Sequence, residues 1–117
     1  MNPDDLRKRM KEFGLRVIRL VEALPKTQTS AVIGKQLLDC ALSVGANYRA
    51  ACKGKSKADF IAKLGIVEEE ADESVYWLEM LVEAKVIKSN LVAGLIAEAN
   101  ELTAIIAASR ITAKKNK

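Results

Sequence analysis

The chain contains no histidine. That removes Ser-His-Asp and Cys-His catalysis, and the commonest metal ligand with them. Carboxylates, lysines or a bare thiol are what remain for chemistry. Cysteine is scarce: Cys40 and Cys52 fall in one predicted helix, about 18 Å apart along its axis and too far to bridge. Two such residues read as reduced small hydrophobes in a bacterial-type cytosol, not as a disulfide framework. Two prolines, six glycines and 4% aromatic residues, beside abundant Ala, Leu, Ile, Glu and Lys, favour helix over sheet. No segment offers about 18 uninterrupted apolar residues, so no membrane span is expected. Asn2–Arg9 is polar and no apolar stretch follows it, so no secretory leader is expected and the chain reads as soluble and cytoplasmic.

What the chain does have is apolar periodicity. Half of its 117 residues are apolar and 29% are charged, enough for one domain over 1–117 with a real core. Leu6, Met10, Phe13, Val17, Leu20 and Leu24 recur at steps of four and three, predicting a helix over about 4–24 that Pro25 stops. A second helix, about 30–52, carries Ile33, Leu37, Cys40, Val44, Asn47 and Ala51 on one face and Gly34, Leu38, Ala41, Leu42 and Gly45 on another. A third, about 57–85, shows Phe60, Leu64, Val67, Ala71, Ser74, Leu78 and Leu81, with a weaker stripe of Ile66, Trp77, Met80 and Ala84. A fourth, about 89–112, has Leu91, Leu95, Ala99, Leu102 and Ile106, capped by Ser89 or Asn90 and followed by a solvated basic tail. The connections are short, so the expected fold is all-α: an antiparallel up-down-up-down four-helix bundle.

Between the second and third helices lies "KGKSKADF", with Gly54-Lys55-Ser56. A phosphate-binding loop needs a glycine five positions earlier, between a strand and a helix. Here that position is Arg49, in a helix. The stretch is therefore a turn: Gly54 is expected in the left-handed conformation and Ser56 as the next N-cap, with Asp59 close to a capping box. With Lys53, Lys55 and Lys57 it is either an exposed polar turn or a seat for phosphate. Bundle geometry adds Arg7, Lys8, Arg9 and Lys11, and Arg110, Lys114, Lys115 and Lys117, to the same end. A net charge of +4 thus conceals one basic pole, which suits nucleic-acid phosphates.

"EEEADE" at 68–73 is the densest acid block. Without histidine it cannot complete a di-iron-type bundle site, so no metal and no cofactor are expected. Glu70 and Glu73 border the Ile66–Trp77–Met80 stripe, where a basic residue of another subunit such as Arg49 could meet them. That stripe and the Leu38–Leu42–Gly45 face, both outside a single bundle's core, argue for self-association. Asn47 on the core stripe needs a partner, and Ser43 one turn earlier could share a hydrogen-bond network that fixes register.

The stretch "QLLDCALSVGANYRAACKGKSKADFIAKLGIVEEEADESVYWLEML" resembles the four-helix bundle family that includes the 23S rRNA intervening-sequence proteins. The accessory proteins of diversity-generating retroelements share that fold family. The resemblance runs from Phe13 to the last helix and rests on Gln36-Leu37, Ser43 followed by Ala46-Asn47, the turn into Asp59-Phe60, Leu64, and Glu73 before Leu78. Many relatives read Ala-Asn-Ile-Ala-Glu-Gly where this chain has Ala46-Asn47-Tyr48-Arg49-Ala50-Ala51, and a Gly-Ser pair where it has acids of the 68–70 run. The resemblance implies a homopentamer and association with nucleic acid, with a reverse transcriptase as a protein partner. The expected function is a non-enzymatic oligomeric bundle that binds RNA or DNA phosphates through Arg49, Lys53, Lys55, Lys57, Lys114 and Lys115. The alternative is a protein-interaction scaffold without nucleic acid.

Overall fold

The computed structural model describes residues 1–116, so Lys117 lies outside the described residues. Four helices run in order: α1 (Pro3–Glu22), α2 (Gln28–Cys52), α3 (Lys57–Glu83) and α4 (Ala93–Lys115), with one 3-10 turn at Ser89–Leu91. The described residues contain no strand, and none of their helices is long and apolar enough to cross a membrane.

Local chemistry sets the helix starts. Asn2 accepts from the Asp5 amide ahead of Pro3, Thr27 accepts from the Ser30 amide, and Ser56 accepts from the Asp59 amide. Each side-chain oxygen satisfies one of the free N–H groups of a first turn. Contacts between helices give their directions. A Cβ at Gly45 would sit 3.6 Å from Met10 and one at Gly14 3.2 Å from Leu42, while Gly34 faces Val21. α1 and α2 therefore run in opposite senses. Arg9 reaches Glu98 and Arg16 lies near Gly94, which sets α1 against α4 in the same way. α3 forms the two largest interfaces, with α2 and with α4, whereas α1 docks on α2 and only thinly on α4. The result is a rod of 50 × 21 × 20 Å.

The core follows the apolar stripes, led by Phe13, Met10, Leu37, Leu64, Leu78, Leu81, Leu102 and Ile106. Four local expectations are corrected. Tyr48, not Asn47, fills the core position near the end of α2, and Asn47 is only half-buried. No glycine has a positive φ, so Gly54 is not left-handed. Its lack of a Cβ instead leaves room for Asp59 Oδ2, 2.9 Å from where that carbon would stand. Residues 89–91 form the 3-10 turn before α4, and neither Ser89 nor Asn90 supplies a side-chain cap. That extra turn rotates Leu91 outward to 62% exposure and buries Val92 in its place. α4 also continues through Lys115, so the basic residues expected in a tail stand on its last turn.

The left-handed residue is Lys85, with φ 60°. Val86 N–H donates to Leu81 O and Lys85 N–H to Val82 O, both at 2.9 Å. That pair of bonds is a Schellman ending, in which glycine is usual because a side chain costs about 1–2 kcal/mol at that φ. Lys85→Gly is expected to stabilise the protein by about 1 kcal/mol, read from a thermal melt. An unchanged or lowered melting temperature contradicts it.

Candidate nucleic-acid interface at the basic tip

One end of the rod gathers the start of α1, the end of α2, the start of α3 and the end of α4. Several of the cations expected there are already engaged. Arg7 pairs with Asp4. Arg9 is held between α1 and α4, with Nη2 2.6 Å from Glu98 and Nη1 3.1 Å from Glu101. Hydrogen bonds to Glu98, outweighing the desolvation of its partial burial, hold the Arg9 guanidinium above its ordinary pKa. Arg110 Nη2 lies 2.8 Å from Glu68 Oε1, an ion pair without an aligned hydrogen bond that ties α4 to α3. Lys63 bonds Asp59 at 2.6 Å and keeps that carboxyl below its usual range, with Lys55 adding a smaller pull.

A different set is left without acidic partners. Lys8, Lys11, Arg49, Lys53, Lys55, Lys57, Lys114 and Lys115 are all exposed, and none forms an ion pair among the described residues. Arg49 and the α1 lysines Lys8 and Lys11 line one groove between α1 and α2. Lys53 and Lys55 sit in the turn, and Lys57 opens α3. Few rings accompany them: Tyr48 is buried and Phe60 half-buried. The exposed Tyr76 stands 19 residues into α3, about 28 Å from its start. The tip can therefore neutralise phosphates but has little with which to stack bases.

The polar residues expected to form a core network do something more local. Ser43 Oγ donates to Asp39 O at 2.7 Å, and Asn47 Nδ2 donates to Ser43 O at 2.9 Å. Both are satisfied within α2 and bridge no helices. The buried polar contact between helices is instead Ser74 to Cys40, with Ser74 Oγ 3.3 Å from the sulfur and 2.9 Å from Glu70 O. Sequence reading placed both residues on core stripes but did not pair them. Glu70, half-buried, and Glu73, exposed, approach the same sulfur, with potential ligand atoms all within 4.8 Å of one another. Burial pushes the Cys40 thiol up to about 11 and, ahead of repulsion from Glu73, Glu69 and Asp39, raises Glu70. A protonated thiol bonded to Leu37 O at 3.4 Å is a satisfied core group. A metal would have to displace its proton.

The residues expected at a subunit interface divide. Gly45 lies against the Met10 backbone and so serves the α1–α2 contact. Leu42 covers Gly14 yet keeps 45% exposure, and Leu38 is half-buried. Ile66 is exposed, while Trp77 and Met80 are half-buried against the core. Trp77 Nε1 lies 3.4 Å from Glu73 Oε2, and its ring meets Tyr76 edge-on at 4.9 Å.

Comparison with known proteins adds a family. Residues 5–108 match the family model described as 23S rRNA-intervening sequence protein. A crystal structure from Bacteroides thetaiotaomicron, described as a protein with unknown function from the S23 ribosomal protein family, superposes with a TM-score of 0.87. It is 32% identical, over 94% of this chain and 98% of that one. No curated protein matches.

Proposed function

The chain belongs to the 23S rRNA-intervening sequence protein family, and from that premise we propose that it is a non-enzymatic, oligomeric bundle that binds the phosphate backbone of RNA through its basic tip. One observation carries the reading: Arg9 and Arg110 are bonded to acids and tie helices together, whereas eight other cations, in no ion pair among the described residues, crowd the same end of the rod. A net charge of only +4 still attracts a polyanion when it is distributed in this way. Arg49, Lys53, Lys55, Lys57, Lys114 and Lys115 make the contacts. Sequence preference is weak, because phosphate contacts position a strand without reading it. A scaffold role without nucleic acid is the second reading, favoured by the exposed acidic and apolar side of α3.

Titration of labelled single-stranded RNA by fluorescence anisotropy, at about 50 and about 200 mM salt, tests this. Binding at the lower salt, weakened by at least about tenfold at the higher, is expected. Absence of binding at low salt, or indifference to salt, rules the proposal out. A protein partner that co-purifies after nuclease treatment would then support the scaffold.

A further inference from the structure

The groove between α1 and α2 encloses about 680 Å³. Its walls are divided along the rod. Lys8, Lys11 and Arg49 line the part nearer the tip, and Leu15, Ile18 and Leu42 line the remainder. Leu15 is 44% exposed, close to Leu42, so two large apolar side chains stand half bare in it. Gly14, Ala41, Gly45 and Ala46 keep the floor low, leaving room for a third helix to lie close.

α3 carries a surface of the matching kind. With its inner faces packed on α2 and α4, it leaves an exposed stripe at helical spacing, Ile66, Glu69, Glu73 and Tyr76, which the half-buried Met80 continues. Tyr76 is 53% exposed. None of these acids is in an ion pair with a cation of its own chain, among the described residues.

We infer that the α1–α2 groove of one copy receives the outward stripe of α3 from a second copy. The spacing carries the inference. Lys8 to Leu15 and Lys11 to Ile18 are each two helical turns, and so are Glu69 to Tyr76 and Glu73 to Met80, about 10 Å in both helices. Laid parallel to α1, α3 thus sets Glu69 and Glu73 beside Lys8 and Lys11 while Tyr76 and Met80 cover Leu15 and Ile18. Laid the other way, it would bring only Ile66 and Ala62 to those leucine and isoleucine positions. Charge complementarity fixes the setting, and apolar burial holds it. The groove and the stripe are different surfaces of one chain, so the joint is head to tail and builds a ring or an open row, not a two-fold dimer. This deepens the oligomeric part of the proposed function and does not depend on RNA binding.

Sedimentation velocity of nuclease-treated full-length protein, across a concentration series, tests the joint. The native chain should sediment as an assembly. Lys8→Glu with Lys11→Glu, or Glu69→Lys with Glu73→Lys, should each weaken association by at least about tenfold. All four changes in one chain should restore it, because groove and stripe then match again with the charges exchanged. That fourfold variant keeps the native net charge, so recovery cannot come from charge alone. A native monomer throughout, reversed pairs that assemble normally, or a folded fourfold variant that stays monomeric would each overturn the inference. If a reversed chain fails to give a native melt, Tyr76→Ala provides the reading: weakened association is expected, and unchanged association overturns it. Lys53→Gln with Lys55→Gln should leave the assembly intact, which separates failure of this joint from failure of RNA binding.

Discussion

Replacing Lys53, Lys55 and Lys57 together by glutamine is expected to lower the affinity for single-stranded RNA by on the order of 10²-fold at about 50 mM salt. The same change should flatten the dependence of log affinity on log salt by about 2, since each lost phosphate contact on a single strand removes about 0.7 from that slope. These three side chains are exposed and in no ion pair among the described residues, and Lys55 adds only the smaller pull on Asp59, so the thermal melt should shift little. Lys26, Lys85 and Lys88 at the opposite end provide the comparison. Their triple glutamine variant loses the same charge but should leave affinity within about threefold of the native value. Equal losses from the two triples would mean that binding follows net charge, and the tip would not be the site. Arg9 and Arg110 make a third case. Their guanidinium groups are bound to Glu98, Glu101 and Glu68, so removing them should loosen α4 before it affects RNA.

Those two arginines also mark the boundary of what sequence reading can reach. Steps of three and four residues are enough to find the core stripes of α1, α3 and most of α4, because burial requires that period whatever the neighbours are. The cap at Ser56 is equally local, and it forms. An ion pair such as Arg9–Glu98 spans 89 residues and depends on how α1 slides along α4, which no local pattern contains. The basic pole was therefore legible as a cluster, but not which of its members were free.

Other misses share a physical cause. Asn47 and Tyr48 straddle the α2 stripe, and a helix of 3.6 residues per turn drifts across any regular spacing. The larger apolar body took the buried side. At the helix ends, Lys85 and not Gly54 takes the left-handed conformation. Glycine usually takes the left-handed ending, yet here the requirement at Gly54 is space for the Asp59 carboxylate, and the reversal at Lys85 is enforced by Val86 bonding back to Leu81. The apolar second face of α2 was visible in the sequence. Its division between the chain's own α1, at Gly45, and open groove, at Leu42, follows only from the packed helices.

Phe13→Ala is expected to destabilise the protein by about 3–5 kcal/mol, a large part of the roughly 5–15 kcal/mol that holds a domain of this kind folded. Phe13 is 1% exposed and is the largest of the fully buried side chains. Its truncation loses the burial of a ring and leaves a cavity that helices fixed by many other contacts cannot collapse to fill. The placement on α1 sharpens the expectation. α1 meets α4 only thinly, so its hold on the bundle rests on Leu6, Met10, Phe13 and Val17 against the core and on α2. Amide exchange should therefore accelerate in α1 before it does in α3, which is gripped from two sides. Chemical denaturation at one fixed protein concentration is the measurement, because self-association would otherwise add its own concentration-dependent stability. Leu91→Ala, on a side chain mostly in solvent, serves as the control and should shift stability by less than about 0.5 kcal/mol. A loss below about 1 kcal/mol for Phe13→Ala, or uniform acceleration of exchange across all four helices, would mean that α1 does not depend on this ring for its docking.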